Sequence, residues 1–118
     1  MGGALAYHGG LAAESQVAAL YQRQGRSIAA RRWRGGGGEI DLIARDGATV
    51  IFIEVKKASS HARAAERLSR RQMDRIYASA SAFIGEEPAG QLTEVRFDVA
   101  LIDDFGKIEI LENAFDHG

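Results

Sequence analysis

The chain contains no cysteine and a single proline among its 118 residues. Without cysteine it forms neither disulfides nor thiolate metal sites, so any metal must be held by other ligands. No apolar run approaches the roughly 20 residues of a membrane-spanning helix. The first residues also lack the basic start and the apolar stretch of a secretory signal. These absences predict a cytoplasmic protein without a membrane partner.

The length and composition fit one compact domain. Apolar residues make up 46% of the chain and charged residues 26%, which is enough apolar material for a single core. We therefore expect residues 1–118 to form one domain.

The net charge of −1 conceals an uneven distribution. Residues 1–75 carry thirteen Lys and Arg against seven Asp and Glu, whereas residues 76–118 carry two against nine. Clustered arginines suit a phosphate backbone, although a solvated surface explains either basic run alone equally well. The candidate nucleic-acid contacts in the basic part include Arg34, Lys57 and Arg71.

Four consecutive glycines, from Gly35 to Gly38, form the one low-complexity stretch. They lack the Lys-Ser/Thr of a P-loop and the strand-to-helix context of a dinucleotide fingerprint. We interpret them as a flexible loop that enters a hairpin.

Hydrophobic periodicity and turn residues predict an α/β protein with the order helix, three strands, helix, two strands. The first helix should cover residues 11–24 and end at Gly25. The other predicted elements are a strand over 27–34, two hairpin strands within 38–56, a helix from about 62 to 84, and strands over 94–102 and 107–111.

The hairpin brings acidic residues together. A turn centred on Asp46-Gly47 would place Asp41 opposite Phe52 and Glu39 opposite Glu54. Side chains alternate along strands, so one face should carry Glu39, Asp41, Ile43, Val50, Phe52, Glu54 and Lys56. Asp41 and Glu54 would then be diagonal neighbours, about 7 to 8 Å apart at the backbone.

This pair of carboxylates needs a physical reason, because like charges across strands destabilise a sheet. A divalent cation would remove the repulsion, and oxygen ligands without cysteine favour Mg²⁺ or Mn²⁺. Lys56 lies on the same side and could orient a water or stabilise a phosphate. Taken alone, the E-x-K spacing is also explained by an exposed sheet face that carries an ordinary Glu-Lys pair.

Glu14 and Gln72 lie on helix stripes that should face the sheet. An unsatisfied buried polar group costs about 1 to 3 kcal/mol, so each needs a partner. Glu14 could add a carboxylate to the metal site and Gln72 could contact substrate or water. Alternatively, the apolar stripes of the two helices are narrower than assumed, and both residues lie at the boundary between the stripe and solvent.

Together these motifs resemble the small bacterial YraN-like family, whose members are expected to be endonucleases. The resemblance runs from about Gly9 to Phe115, and several motifs occur in the same order. They are A-E-x-x-x-A-x-x-Y-x-x-x-G around Glu14, GEIDLI, F-I-E-V-K, R-Q-x-x-R-I, R-F-D-V and the closing Asn113-Ala114-Phe115.

The family is similar to the PD-(D/E)xK nuclease superfamily and to archaeal Holliday-junction resolvases. The resemblance implies a restriction-endonuclease-like three-layer α/β/α fold with a central mixed sheet. It also implies that Asp41 is the first aspartate of the motif and that Glu54 and Lys56 form its E-x-K. Glu14 matches an additional helical glutamate, and Gln72 matches a glutamine found in some branches. Lys57-Ala58 departs from the Thr-Arg that commonly follows in the family.

These residues lead to the expectation of an Mg²⁺-dependent or Mn²⁺-dependent phosphodiesterase, an endonuclease acting on DNA, with branched or junction DNA as one candidate substrate. Asp41, Glu54 and Lys56 would be catalytic, with Glu14, Asp41 and Glu54 around the metal. Two alternatives remain: a non-catalytic nucleic-acid-binding or recombination accessory protein, and an interaction module that pairs its basic and acidic halves head to tail. A homodimer would suit an enzyme that cuts two strands symmetrically.

Overall fold

A computed structural model of the protein describes residues 2–57 and 69–114, with side chains from residue 12 onward. Within these ranges no helix is both long and apolar enough to cross a bilayer. A short 3-10 turn covers Gly90–Leu92. The helices and strands are α1 Gly2–Arg23, β1 Ser27–Gly35, β2 Gly38–Asp46, β3 Thr49–Lys57, α2 Arg70–Ile84, β4 Val95–Ile102 and β5 Ile108–Leu111.

The five strands form one mixed sheet in the order β1-β2-β3-β4-β5. Neighbouring strands are antiparallel except for β3 and β4, which are parallel. Parallel neighbours need a crossover connection, and α2 lies in the segment that joins β3 to β4. This confirms the predicted α/β class, the mixed sheet and the element order.

Helices cover both faces of the sheet, so the central strands are buried on each side. The first face packs against α1, in a core made of Val17, Ala18, Tyr21, Leu42, Ala44, Ile51, Ile53 and Ala100. The second face packs against α2, in two clusters made of Ile40, Ile43, Val50, Phe52, Ile76, Ala80, Ile84, Val99 and Leu101. The result is a three-layer α/β/α arrangement.

Both helices differ from their predicted bounds at the start. Helix α1 begins at Gly2 instead of residue 11 and ends at Arg23, and Gly25 follows with a φ of 86° that suits glycine. The prediction of one continuous helix from 62 to 84 is wrong, because Ser69 is extended and caps α2. Its hydroxyl accepts a hydrogen bond from the Gln72 N–H at 3.1 Å, as helix-capping serines do. Residues 62–68 lie outside the described part of the chain.

The hairpin turn lies one position later than predicted. Asp46 pairs with Thr49, so Gly47 and Ala48 are the central residues of the turn, and Gly47 has a φ of 61°. A positive φ at the first central position is typical of a two-residue type II′ hairpin, where glycine is favoured. The register moves accordingly, and Phe52 faces Ile43 instead of Asp41.

A buried polar network connects α1, β4 and the C-terminal segment through Asp98, which is only 1% exposed. The Tyr21 hydroxyl donates to Asp98 Oδ2 at 2.7 Å, and Arg96 donates to both carboxylate oxygens at 2.9 and 2.8 Å. The Asn113 N–H adds a bond to Oδ1 at 3.3 Å. These donors compensate the cost of burying a charge.

Removing the Tyr21 hydroxyl tests how strongly this network stabilises the fold. We expect Tyr21→Phe to lower the free energy of unfolding by about 1 to 3 kcal/mol, since a charged acceptor loses one buried donor. Urea unfolding measures the change. Arg70→Gln is the control, because it breaks the exposed Arg70–Asp74 ion pair and should cost less than about 1 kcal/mol. Equal losses in the two variants would contradict a special role for the buried network.

Candidate metal centre

Asp41 and Glu54 meet where the hydrogen-bonded pairing of β2 with β3 ends. The last pair is Leu42–Ile53, and the same register continued by one residue places Asp41 beside Glu54. The Asp41 carboxylate accepts a hydrogen bond from the Val55 N–H, with 2.8 Å between Oδ2 and the nitrogen. A side chain thus takes the place of a strand carbonyl at this position. The structure brings together the two carboxylates that the sequence predicted as metal ligands.

The prediction that these residues share one regular strand face is wrong at Asp41. Ile40 and Ile43 pack in the same cluster against α2, although strand alternation would put residues three apart on opposite faces. In the β1–β2 pairing, Arg31–Leu42 and Trp33–Ile40 flank this point, so Arg32 lies opposite Asp41. Arg32 has a φ of 50°, and the backbone irregularity therefore coincides with the candidate site.

Burial and mutual repulsion make both carboxyl groups harder to ionise. Glu54 is 6% exposed, and its burial, with the neighbouring charge of Asp41, raises its pKa to about 8. Burial also raises the pKa of Asp41, against the lowering effect of the Val55 N–H. Two carboxylates held this close favour a cation between them.

Lys56 and Glu14 lie within electrostatic range of this pair. The positive charge of Lys56 lowers the pKa of both Asp41 and Glu54, so its ammonium partly offsets their repulsion. The negative charge of Glu14 raises the pKa of Asp41. Glu14 itself forms an ion pair with Arg32, with 3.0 Å between Oε1 and Nε.

Asp41 and Glu54 fit an Mg²⁺ or Mn²⁺ ion by the chemistry of their donor atoms. Mg²⁺ takes oxygen ligands and commonly binds through one or two carboxylates, with waters and substrate phosphates completing its shell. In residues 2–57 and 69–114, no group of three or more acidic, histidine or cysteine side chains is arranged to hold a metal. The roles of Asp41 and Glu54 as metal ligands, and of Glu14 as a third ligand, stay predictions.

The four predicted substrate contacts lie on three elements, β1, β3 and α2. Arg34 is exposed and forms an ion pair with Glu39 at 3.3 Å, which explains Glu39 without a ligand role. Lys57 is exposed at the end of β3, one residue beyond Lys56. Arg71 is exposed in the first turn of α2, and Gln72 beside it is partly buried.

Arg32 was not singled out from the sequence, where it was one member of a basic group. A signal was nevertheless present, because Arg31 and Arg32 are adjacent in a strand. Neighbouring strand residues point to opposite faces, so one of the two arginines had to lie on the face that α1 covers. The ion pair with Glu14 shows that this residue is Arg32.

The raised pKa of Glu54 predicts how the stability of the metal-free protein depends on pH. A folded-state pKa above the unfolded value gives stability that is complete below about 4.5 and is lost as the pH rises through about 8. We expect the melting temperature, measured in EDTA, to fall across this window. Glu54→Gln should flatten the dependence, whereas the exposed control Glu94→Gln should keep it. An unchanged pH dependence in Glu54→Gln would contradict the strained carboxylate pair.

Comparisons with known proteins place the chain in one family. The family model described as "Uncharacterised protein family UPF0102" matches residues 13–102. A UPF0102 protein of Cereibacter sphaeroides (strain KD131) is 67% identical over 115 residues, covering 98% of each chain. A UPF0102 protein of Ruegeria pomeroyi is 58% identical over 109 residues, covering 92% of this chain and 89% of the relative.

A more distant relative extends the match. The UPF0102 protein of Dinoroseobacter shibae is 42% identical over 104 residues, covering 88% of this chain and 78% of the relative. The family model spans both candidate carboxylates, Lys56 and the helical Glu14. The chain belongs to the UPF0102 family.

Proposed function

We propose that the protein is an Mg²⁺-dependent or Mn²⁺-dependent phosphodiesterase that cuts DNA as an endonuclease. The observation that carries the proposal is the meeting of Asp41 and Glu54 at the end of the β2–β3 pairing, with Lys56 close enough to act on both. Burying two carboxylates beside a lysine costs free energy, and a purely structural role gives no reason for that cost. They are well suited to binding a divalent cation at a phosphate.

Each residue of the site has a distinct role in this proposal. The Val55 N–H fixes one oxygen of Asp41, which leaves the other oxygen available to a cation. A divalent cation bound there would polarise the scissile phosphate and lower the pKa of a bound water. Lys56 would orient that water or stabilise the charge that develops on the phosphate. The partial burial of the pair strengthens these interactions by excluding solvent.

The substrate class follows from charge and from the resemblance of the sequence motifs to YraN-like and PD-(D/E)xK nucleases. The basic part of the chain contains the hairpin and suits a phosphate backbone. Arg34, Lys57, Arg71 and Gln72 are the proposed contacts. Branched DNA would require two symmetric cuts, which a homodimer provides.

Cleavage of a labelled panel of four-way junction, flap, duplex and single-stranded DNA with Mn²⁺ or Mg²⁺ tests the function. The wild-type protein should cut at least one of these substrates. Asp41→Asn, Glu54→Gln and Lys56→Met should each lower the rate by at least about 100-fold, because each removes a group that stabilises the reacting charges.

Glu39→Gln is the matched control for these variants. Glu39 lies in the same GEID run, two residues before Asp41, but is paired with Arg34 at the surface. The control should cleave at close to the wild-type rate. Full activity in any of the three site variants would remove that residue from the mechanism, and cleavage independent of divalent ions would refute the proposal.

The proposed phosphate contacts make a separate prediction about salt. Each of Lys57→Gln and Arg71→Gln should weaken DNA binding and reduce the slope of log affinity against log salt by about 0.9 on a duplex, because one fewer phosphate is neutralised. Fluorescence anisotropy over a salt series measures the slope. Lys107→Gln, an exposed change beside the acidic β4–β5 turn, should leave it unaltered. Identical slopes in the wild type and all three variants would contradict Lys57 and Arg71 as phosphate contacts.

One observation favours a second candidate function, a non-catalytic nucleic-acid-binding or accessory protein. Glu14 is engaged by Arg32 instead of joining Asp41 and Glu54 as a third carboxylate. A protein that binds DNA in a salt-dependent way, yet cuts none of the panel with either metal, would support this function.

A further inference from the structure

Arg32 has a backbone conformation that its side chain does not favour. Its φ of 50° lies in the left-handed region, where residues other than glycine, asparagine and aspartate are uncommon. Such a conformation is strained and persists only where the surroundings maintain it. Arg32 has this conformation directly opposite Asp41 in the β1–β2 pairing. Strained residues of this kind cluster at functional sites, where the strain can be part of the mechanism.

The side chain of Arg32 extends from this position to α1. Its Nε lies 3.0 Å from Glu14 Oε1, and the side chains are 40% exposed for Arg32 and 14% for Glu14. Because Arg32 lies opposite Asp41 in the β1–β2 pairing, this ion pair places Glu14 near the part of β2 that carries Asp41. Arg32 therefore places a partly exposed positive charge next to Glu14.

We propose that Arg32 is an exchangeable counter-charge that competes with a divalent cation for Glu14. Without the cation, the guanidinium neutralises Glu14. When a cation is bound, Glu14 turns toward it, and the guanidinium contacts a phosphate of the DNA. This inference rests on the proposed function and adds a phosphate-binding residue to that site.

The physical argument is one of charge balance. A guanidinium and a divalent cation repel each other, so a glutamate side chain binds either one more favourably alone than both together. An arginine displaced from a carboxylate keeps its planar fork, which matches a phosphate as well as it matches a carboxylate.

Arg32→Asn is the variant of choice. Asparagine adopts a positive φ more readily than most residues, so the backbone should keep its shape while the charge is lost. The matched control is Arg26→Gln, which breaks the Arg26–Asp46 ion pair at 3.1 Å. Asp46 closes the hairpin turn, at the end of β2 away from Glu39 and Asp41.

The first test measures Mn²⁺ binding without DNA, by isothermal titration calorimetry. Arg32→Asn should bind Mn²⁺ about tenfold more tightly than the wild type, a difference of about 1.4 kcal/mol, because the competing charge is gone. Arg26→Gln should bind as the wild type does. Unchanged or weaker Mn²⁺ affinity in Arg32→Asn would overturn the competition.

The second test measures duplex binding over a salt series, once with Ca²⁺ as a divalent probe and once with EDTA. With Ca²⁺, Arg32→Asn should reduce the slope of log affinity against log salt by about 0.9, the effect of one lost phosphate contact. With EDTA, where Glu14 retains the guanidinium, its slope should equal that of the wild type. An equal reduction under both conditions, or none under either, would overturn the exchange.

Glu54→Gln separates failure of this inference from failure of the proposed function. If the wild type binds no Mn²⁺, or Glu54→Gln binds it equally well, the metal centre itself is refuted and the exchange with it. If Mn²⁺ binds and Glu54→Gln weakens it, while Arg32→Asn behaves as the wild type in both tests, only the role of Arg32 is refuted.

Discussion

The site depends on the hydrogen bond between the Val55 N–H and Asp41 Oδ2. It forms where β2 and β3 stop pairing through their backbones, and it holds a mostly buried carboxylate between these two interior strands. The same bond stabilises the ionised form of Asp41 against the cost of its burial. Glu54 lies on the neighbouring strand, and its burial and the charge of Asp41 raise its pKa.

The surrounding core makes this arrangement possible. The central strands are covered by helices on both faces, so β2 and β3 have little freedom to move apart. Helix α1 is also attached to β4 through the Tyr21–Asp98 hydrogen bond. Tyr21 lies seven residues after Glu14, or about two helical turns, so the attachment and the glutamate share a helix face. A buried anchor on the same helix thereby helps to set the position of Glu14.

Much of the fold was predictable because its signals are local. The β-branched run of β3, the alternation of β2 and the glycines at the turns each follow from short stretches of chain. The errors arose where a local pattern allowed two solutions. Asp46-Gly47 and Gly47-Ala48 both make acceptable turns, and choosing between them moves the pairing of Asp41 from Phe52 to the neighbourhood of Glu54. Similarly, helical periodicity continues through Ser69, whose side chain instead caps α2.

The sequence by itself determined the α/β class, the order of the elements and the closeness of Asp41, Glu54 and Lys56, because these depend on neighbouring residues and on strand geometry. Only the tertiary structure decided which partner each charged group has. Arg32 in β1 forms an ion pair with Glu14 in α1, and the backbone N–H of Val55 in β3 donates to the side chain of Asp41 in β2. Such contacts join residues distant in the chain, and their geometry is set by the packing of both helices on the sheet, which no local pattern encodes.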